Sequence, residues 1–332
     1  MGSPSVSIII VNWNHDKYLR DCLDAILALE FKNFDINIID NGSQDGSHEW
    51  IAIDYPDVKL WAFPVNHGFC WAFNWGVNHT KGEFVLSLNP DVFVHKEFLQ
   101  EMVNAMLEDE RVGMVSPKLL KYDEPTILDS TGLFINRDRR PYDRGQGEID
   151  RNQYDTSLQV FGVCGAAALF RRSMLTDIAF EDEYFDEDFF SYYEDADLSW
   201  RAQMRGWHGR FAPRAVATHV RGSGDTLRKR REPLHDANGP RLAMRNRYLM
   251  TIKNDALRYI LLDLPLMIIK ELPRLLYAAL YAPHVLWGLI DLLRGFKSAI
   301  HKRKLIRDQR IIDDNTTRQW FKPHKLQLSR SG

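Results

Sequence analysis

Cysteine is scarce in this 332-residue chain: Cys22, Cys70 and Cys164 stand far apart. No C-x-x-C pair occurs, so neither a zinc knuckle nor a disulfide framework is supported. Reduced thiols in a cytosolic compartment are the expectation. Glycine and proline number 20 and 14, too few for a low-complexity or collagen-like chain. No uncharged apolar run reaches the ~20 residues that a membrane span needs. Leu275 to Ile290 comes nearest, and it contains Pro283 and His284. The amino terminus lacks a charged region ahead of its short apolar run, Val6 to Val11, so no signal peptide is read there. No internal repeat is visible.

What is present is ordinary globular composition, 45% hydrophobic and 27% charged, enough for two domains or one large domain with an appendage. The net charge of −2 hides a split. Residues 241–332 hold 18 basic and 7 acidic side chains, a net of +11, which leaves −13 for residues 1–240. A basic tail of this kind points to an anionic partner, with nucleic acid and an anionic lipid surface as the candidates.

The first 120 residues alternate strand and helix signals. Ser5 to Val11 is a continuous β-branched run, as in a strand buried on both faces. Leu19, Cys22, Leu23 and Ile26 recur at helical spacing. Ile36 to Ile39, Val58 to Phe63, Glu83 to Leu88 and Val112 to Val115 read as further strands, with helices over Phe69 to Val77 and from Phe98 to Met106. Ser47 is read as the cap of a short helix. The alternation predicts an α/β fold with a mostly parallel sheet and right-handed crossovers. Residues 121–160 are polar and irregular and read as a loop or mobile hairpin. Val160 to Phe170 reads as a strand with close packing near Gly165, Ala196 to Met204 as a helix, and Ala215 to Val220 as a late strand. Gly222 to Asp225 and Arg228 to Arg231 read as a mobile basic loop. Beyond residue 240 two or three helices are expected, broken near Pro265, Pro273 and Pro283.

Ligands of such sheets bind beyond the carboxyl ends of the strands. Asn12, Asp40, Asn66 and Asn89-Pro90-Asp91 all follow apolar strand runs and should line one edge together. Asp91 suits a hard divalent cation, or simply starts a turn or caps the next helix. Asp40 can accept from a base or ribose, or form an Asx-turn with Gly42. Gly68 permits close backbone approach at a helix start that suits phosphate, though an ordinary helix start explains it equally well. Residues 181–197 hold nine carboxylates, interleaved with Tyr184, Phe185, Phe189, Phe190 and Tyr192. Helix-dipole stabilisation, about 0.3–1 kcal/mol per acid, suffices for Asp197. An aromatic-walled carboxylate can also have its pKa raised and serve as a general base. His219, ending the late strand, is either structural or a ligand for metal or diphosphate.

Together these pieces resemble family 2 glycosyltransferases of the A-type fold, and within them bacterial rhamnosyltransferases. The matching segments run in fixed order over about residues 5–255: Ser7 to Asn14, Ile39 to Gly46, Asn66 to Phe69 with Asn74 and Gly76, Asn89-Pro90-Asp91, Phe185 to Phe190, Glu194 to Leu198, and His219. The resemblance implies a Rossmann-like nucleotide-sugar-binding domain over residues 1–240. Its nucleotide-binding half would span about 1–120 and its acceptor half about 121–240, followed by a basic amphipathic helical extension, 241–332.

Asn12, Asp40, Asn66, Gly68 and Asn89 would hold the donor nucleotide. Asp91 would be the metal-binding carboxylate, His219 a ligand of metal or diphosphate, Asp195 the catalytic base, and Glu194 a residue on the acceptor side. Asn89 stands where the family's D-x-D motif has its first acid, which removes one charge and predicts modest metal affinity. Mg²⁺ or Mn²⁺ is the implied cofactor. The implied chemistry is a single inverting displacement, with dTDP-β-L-rhamnose preferred as donor and a glycan or polyprenyl-diphosphate-linked acceptor. No nucleophile dyad is apparent, which agrees with a single step. Leu- and Ile-rich helices carrying Lys270, Arg274, Arg294 and Lys297, and the run His301 to Lys304, predict peripheral attachment to the cytoplasmic face of the cell membrane. A homodimer interface is the other reading of these helices. Nucleic acid is disfavoured for want of a reading motif. Two other functions were weighed. A nucleotidyltransferase of related fold would carry a basic Gly-rich loop, which Ile10 to Asn14 lacks. A catalytically inert sugar- or lipid-binding protein would have no need of Asp91, Asp195 and His219 together.

Overall fold

Buried, mostly apolar strands form the centre of the sheet. The computed structural model describes residues 3–221 and 238–321. Strand β1 (Val6–Asn12) is buried at every position except Val11. It pairs in parallel with β2 (Phe34–Asn41) on one side and β4 (Phe84–Leu88) on the other, and β3 (Lys59–Phe63) extends the sheet beyond β2. Helices α1 (Asp16–Leu27), α2 (Ser47–Asp54) and α3 (Phe69–Asn78) make the crossovers. Leu19, Cys22, Leu23 and Ile26 are the buried face of α1. Ser47 is the first residue of α2, and Gly46 occupies the cap position.

The chain then passes through β5 (Val92–Val94), α4 (Phe98–Leu107) and β6 (Val112–Lys121). Strand β11 (Ala167–Arg171) inserts antiparallel between β4 and β6. Helices α5 (Arg172–Ile178) and α6 (Glu194–Met204) lead to β12 (His208–His219), which runs parallel to β6. Short strands β7 (Leu128–Ser130) and β10 (Gln159–Val160) edge the sheet, and β8 (Leu133–Ile135) and β9 (Pro141–Asp143) form a separate hairpin. The mostly parallel α/β architecture is present as expected.

Residues 121–160 depart from the expected mobile loop. Phe134, Ile135, Arg139 and Arg144 are all buried. Arg144 donates to Thr131 Oγ1 at 2.9 Å and to the carbonyls of Thr131 and Ser157 at 2.9 and 2.7 Å, and lies against the rings of Phe134, Tyr154 and Phe211. Arg144 is thus satisfied within the segment, which contains the β8–β9 hairpin, while Arg139 finds its partners far along the chain in Asp255 and Asp263. The stretch from Gly222 to Arg231, read as a basic loop, lies outside the described residues.

After it come α7 (Gly239–Asn254), α8 (Leu257–Tyr281), a 3-10 turn at Pro283–Leu286, α9 (Trp287–Gln309) and α10 (Asp314–Arg318). The helix runs straight through Pro265 and Pro273 and stops only before Pro283. Both internal prolines sit on the exposed side, while charged groups on the opposite side tie the helix to the domain. Helix α7 is no appendage: Leu249 and Met250 share one core with Phe73, Phe185 and Trp200.

Candidate active site

The chain leaves β1 for β2 and β3 on one side, then returns to β4 on the other. The crevice beyond the carboxyl ends of β1 and β4 is therefore a topological switch point, where α/β sheets take ligands. Asn12 ends β1 and stands level with Asp40 on β2. Its amide donates to Asp40 Oδ2 at 2.7 Å and to the hydroxyls of Ser43 and Ser47 at 3.1 and 2.8 Å. Both residues are buried. Their side chains brace the crevice floor against each other, where direct contact with a nucleotide was expected.

Asn66 and Asn41 lock the entry to α3. Asn66 Oδ1 accepts from the Asn41 amide at 3.0 Å and from Gly68 N–H at 2.8 Å, while Asn41 Oδ1 accepts from His67 N–H at 3.0 Å. Gly68 has φ +94°, and a Cβ there would lie 2.6 Å from the Phe190 ring. Phe190 also offers its carbonyl to Cys70 N–H at 3.1 Å. The close approach that Gly68 allows is thus made by Phe190, at the helix start expected to suit phosphate.

On the other side of β1, Asn89 donates its backbone N–H to the Ala166 carbonyl at 2.8 Å, and Asp91 accepts Val220 N–H on its carbonyl at 3.0 Å. The Asp91 carboxylate lies 3.6 Å from His219 Nε2, and His219 Nδ1 donates to Asp129 Oδ2 at 2.8 Å. Arg221 links Asp129, at 3.1 Å, to Asp143, at 2.5 Å. Burial raises the Asp91 pKa, opposed by His219 and His15. Burial would lower that of His219, but Asp129 and Asp91 outweigh it and the value is raised. Asp129 is held below its usual range by His219 and Arg221 against burial.

The donor set suits a divalent cation, since carboxylate oxygen matches Mg²⁺ and Mn²⁺ and imidazole can join it. Asp129 orients the ring from behind in the manner of an outer-shell carboxylate. Among the described residues no cluster of three or more His, Cys, Asp or Glu is arranged to hold a metal. Asp91 and His219 offer one carboxylate and one imidazole, and a cation held by these two alone would keep positions for phosphate and water.

Asp195 sits in the first turn of α6. Its Oδ2 accepts Gly165 N–H at 3.0 Å and its Oδ1 accepts Ala196 N–H at 2.7 Å. A Cβ on Gly165 would come within 3.3 Å of that carboxylate, so the bare backbone lets the N–H face it closely. Asn89 bonds Ala166 and Asp195 bonds Gly165; one dipeptide joins the cation side of the crevice to the candidate base. Burial, and then the charge of Asp143, push Asp195 up to about 6 against its N–H donors. Glu194 is buried, with Oε2 unpartnered, and burial and Asp195 push it up to about 8. Glu194, the residue expected on the acceptor side, lies beside Asp195 and is buried.

The segment before α6 is strained. Phe190, Tyr192 and Tyr193 have φ of +65°, +71° and +70°, values that bulky residues rarely adopt. Helix α7 holds it: the Asn246 amide donates to the carbonyls of Phe189, Ser191 and Tyr192 at 2.9, 2.7 and 2.8 Å. Lys253, wholly buried, pairs with Asp186 and, at 3.0 Å, with Asp197. Lys302 from α9 meets Glu183, Asp186 and Asp188 at 2.9, 2.5 and 3.1 Å. Much of the tail's positive charge is thus matched within the chain. Asp197, as expected, is structural: it also binds Arg201 at 3.0 Å and Asn254 at 2.7 Å. Sequence reasoning missed Asp129, Asp143, Arg221, Asn246 and Lys253. The one signal for Asp129 was a lone acid among apolar neighbours, Ile127-Leu128-Asp129. A shallow cavity of about 650 Å³ lined by Glu83, Arg171 and Arg172 lies at the opposite end of β4, away from these groups.

The model of the family described as "Glycosyl transferase family 2" matches residues 7–179. Poly-beta-1,6-N-acetyl-D-glucosamine synthase of Staphylococcus epidermidis is 25% identical over 214 residues, 64% of this chain and 48% of that protein. An uncharacterized glycosyltransferase of Rickettsia typhi is 34% identical over 104 residues, 31% of this chain and 32% of that one. The chain spans about half the length of the first of these curated relatives, and less of the second. Among solved structures, S. aureus TarS 1–349 matches with TM-score 0.56 and 17% identity over 96% of this chain and 90% of that one. Mannosyltransferase PcManGT of Pyrobaculum calidifontis, in complex with GDP-Man and Mn²⁺, matches at TM-score 0.52 and 16% identity, over 93% and 86%. GalNAc-T7 with UDP, GalNAc and Mn²⁺ matches at TM-score 0.59 and 13% identity, over 75% and 48%. At these identities the structural likeness speaks to the fold.

Proposed function

The chain belongs to glycosyl transferase family 2, and from that premise we propose that it is an inverting glycosyltransferase. It passes a sugar from a nucleotide-sugar donor to a hydroxyl of a cell-envelope glycan or a polyprenyl-diphosphate-linked precursor. The observation that carries this reading is the Gly165-Ala166 dipeptide, which bonds Asp195 on one side and the Asn89-Pro90-Asp91 segment on the other. A base and a cation-binding carboxylate then face one crevice at the switch point of the sheet.

Asp195 takes the proton of the acceptor hydroxyl as that oxygen attacks the anomeric carbon. The bond to the nucleoside diphosphate breaks on the opposite face, and one displacement inverts the centre. A pKa pushed up to about 6 leaves Asp195 ionised at neutral pH yet more basic than an ordinary aspartate, which suits a general base. Gly165 N–H and Ala196 N–H fix the carboxylate's orientation. Glu194, pushed up to about 8, stays protonated near neutrality and so adds no second negative charge beside the base. Asp91 and His219 would hold Mg²⁺ or Mn²⁺, which when bound neutralises charge on the diphosphate. Asp129 keeps the proton on His219 Nδ1, so that Nε2 is free to ligate.

We favour L-rhamnose from dTDP-β-L-rhamnose as donor, on the Asn89 form of the acidic motif. Peripheral attachment at the cytoplasmic face of the cell membrane would bring the enzyme to a lipid-linked acceptor. The test is a panel of dTDP-β-L-rhamnose, UDP-N-acetylglucosamine, UDP-N-acetylgalactosamine and GDP-mannose, read by thermal shift and by nucleoside diphosphate release. Strongest stabilisation and turnover with dTDP-β-L-rhamnose is expected. Preference for another sugar overturns the donor assignment, and indifference to all four overturns glycosyl transfer.

A further inference from the structure

Helices on water-facing domains turn their apolar stripe inward and their charges outward. Helix α8 does the reverse. Asp263, Glu271 and Arg274 lie on one side of it, and that side faces the protein. Asp263 is wholly buried and accepts from Arg137 Nε, Arg139 Nη1 and Arg318 Nη2 at 2.9, 2.6 and 2.9 Å. Glu271 pairs with Arg247 and accepts from Tyr248 Oη at 2.8 Å, and Arg274 reaches Asp138 at 3.3 Å. The opposite side carries Leu261, Ile269, Leu272, Leu276 and Leu280, all more than half exposed. Helix α9 also exposes Ile290, Leu293 and Ile300, and Tyr277, Tyr281 and Trp287 flank the turn between the two helices. A helix anchored by its charges and open on its leucines is built for an apolar medium outside.

The charges at the rim select that medium. From Leu257 to Gln309, Asp263, Glu271 and Asp291 lie in ion pairs and none of the three is exposed, which leaves Asp308 as the exposed acid of the two helices. Lys297 and Lys304 are exposed and make no ion pair among the described residues, and Arg294 beside them is 76% exposed. We propose that the outer faces of α8 and α9 seat the protein peripherally on an anionic lipid bilayer. Leucines enter the acyl boundary, the aromatic turn sits at headgroup level, and the lysines meet lipid phosphates. A two-fold contact with a second copy would set this patch against itself. Arg294, Lys297 and Lys304 would then face their own copies, with Asp308 the one exposed carboxylate on these two helices to receive them. No helix among the described residues is long and apolar enough to cross a membrane, and a span would drag the Asp263 and Glu271 ion pairs into hydrocarbon. The inference deepens the peripheral attachment proposed above and depends on no particular donor or acceptor.

The test is flotation of the full-length protein with phosphatidylcholine vesicles, with and without phosphatidylglycerol. Binding at least about tenfold stronger to the anionic vesicles is expected, weakened by salt. Leu276→Glu with Leu293→Glu should abolish it, and Lys297→Glu with Lys304→Glu should cut it about tenfold or more. Nucleoside diphosphate binding by thermal shift, run on the same samples, should be unchanged in both variants. Failure of the wild-type protein to float with anionic vesicles overturns the proposal. So does a dimer, seen by light scattering, that the Leu276→Glu variant dissociates. Flotation without any donor binding would strike glycosyl transfer and leave the lipid surface standing.

Discussion

If Asp195 is the base, its ionisation must set the acid limb of the rate profile, and the structure places that limb unusually high. An ordinary aspartate has a pKa near ~3.9 and is more than about nine-tenths ionised at pH 5. With Asp195 pushed up to about 6 by burial and then by Asp143, only about one-tenth is ionised at pH 5 and about nine-tenths at pH 7. Transfer measured as nucleoside diphosphate release at saturating donor and acceptor should therefore fall about tenfold from pH 7 to pH 5. The sign is that of a base: activity rises as pH rises through about 6. Asp143→Asn removes a negative charge that raises this pKa, so its limb should move to lower pH. Asp195→Asn should lose transfer at every pH while still binding nucleotide. A profile flat from pH 7 to pH 5, or an Asp143→Asn limb moved to higher pH, would refute the assignment. The same group makes native stability fall as pH rises between the ordinary aspartate range and about 6, because there the folded state keeps a proton that the unfolded chain has lost.

Lys253→Met should destabilise the fold by about 3–5 kcal/mol in urea unfolding, because it strips a buried cation from Asp186 and Asp197; a loss under about 1 kcal/mol would show that Lys302, Arg201 and Asn254 suffice. Lys253 and Lys302 hold Asp186 well below the usual range against burial, so its contribution is present above that range and lost as pH falls; the variant should lose less stability in acid than the wild type. Asp129→Asn should weaken Mn²⁺-dependent tightening of nucleoside diphosphate by about 10–100-fold in calorimetry and leave metal-free affinity alone; equal loss in both would make Asp129 merely structural. Gly68→Ala should cost about 1–3 kcal/mol of stability, since it forces a side chain to φ +94° against Phe190. Adding Phe190→Ala should recover only the clash with the ring, since the residue-190 carbonyl would still lie 2.8 Å from the new Cβ.

The central sheet was legible because β1 and β4, buried on both faces, show as unbroken apolar runs. The acidic segment stood out because its carboxylates are interleaved with aromatics at a helix start, and the structure shows Asp186 and Asp197 there tied to Lys253. The 121–160 segment was not legible, since Arg139 and Arg144 look like surface residues until the chain supplies their partners from Asp255, Asp263 and the Thr131 backbone. Pro265 and Pro273 misled for a related reason: the penalty for an internal proline is local, whereas the ion pairs that hold α8 in place are long-range. The charge split signalled an anionic partner but could not say which. Lys253 and Lys302 found it in the chain's own acidic segment, and the exposed lysines of α9 remain for another surface. At Gly68 the close approach was foreseen and its occupant was not, because Phe190 lies more than a hundred residues away.

The pairing of Lys302 with Asp186 has a consequence for biosynthesis. The two residues are made 116 positions apart, and at about 5–20 residues per second a ribosome needs roughly 6–23 s to cover that interval. Until then the nascent acidic segment lacks one of its two lysines, and the turn carrying Asp195 lacks part of its brace. A premature stop in α9 would release a protein with its central sheet translated in full and its acidic segment without Lys302.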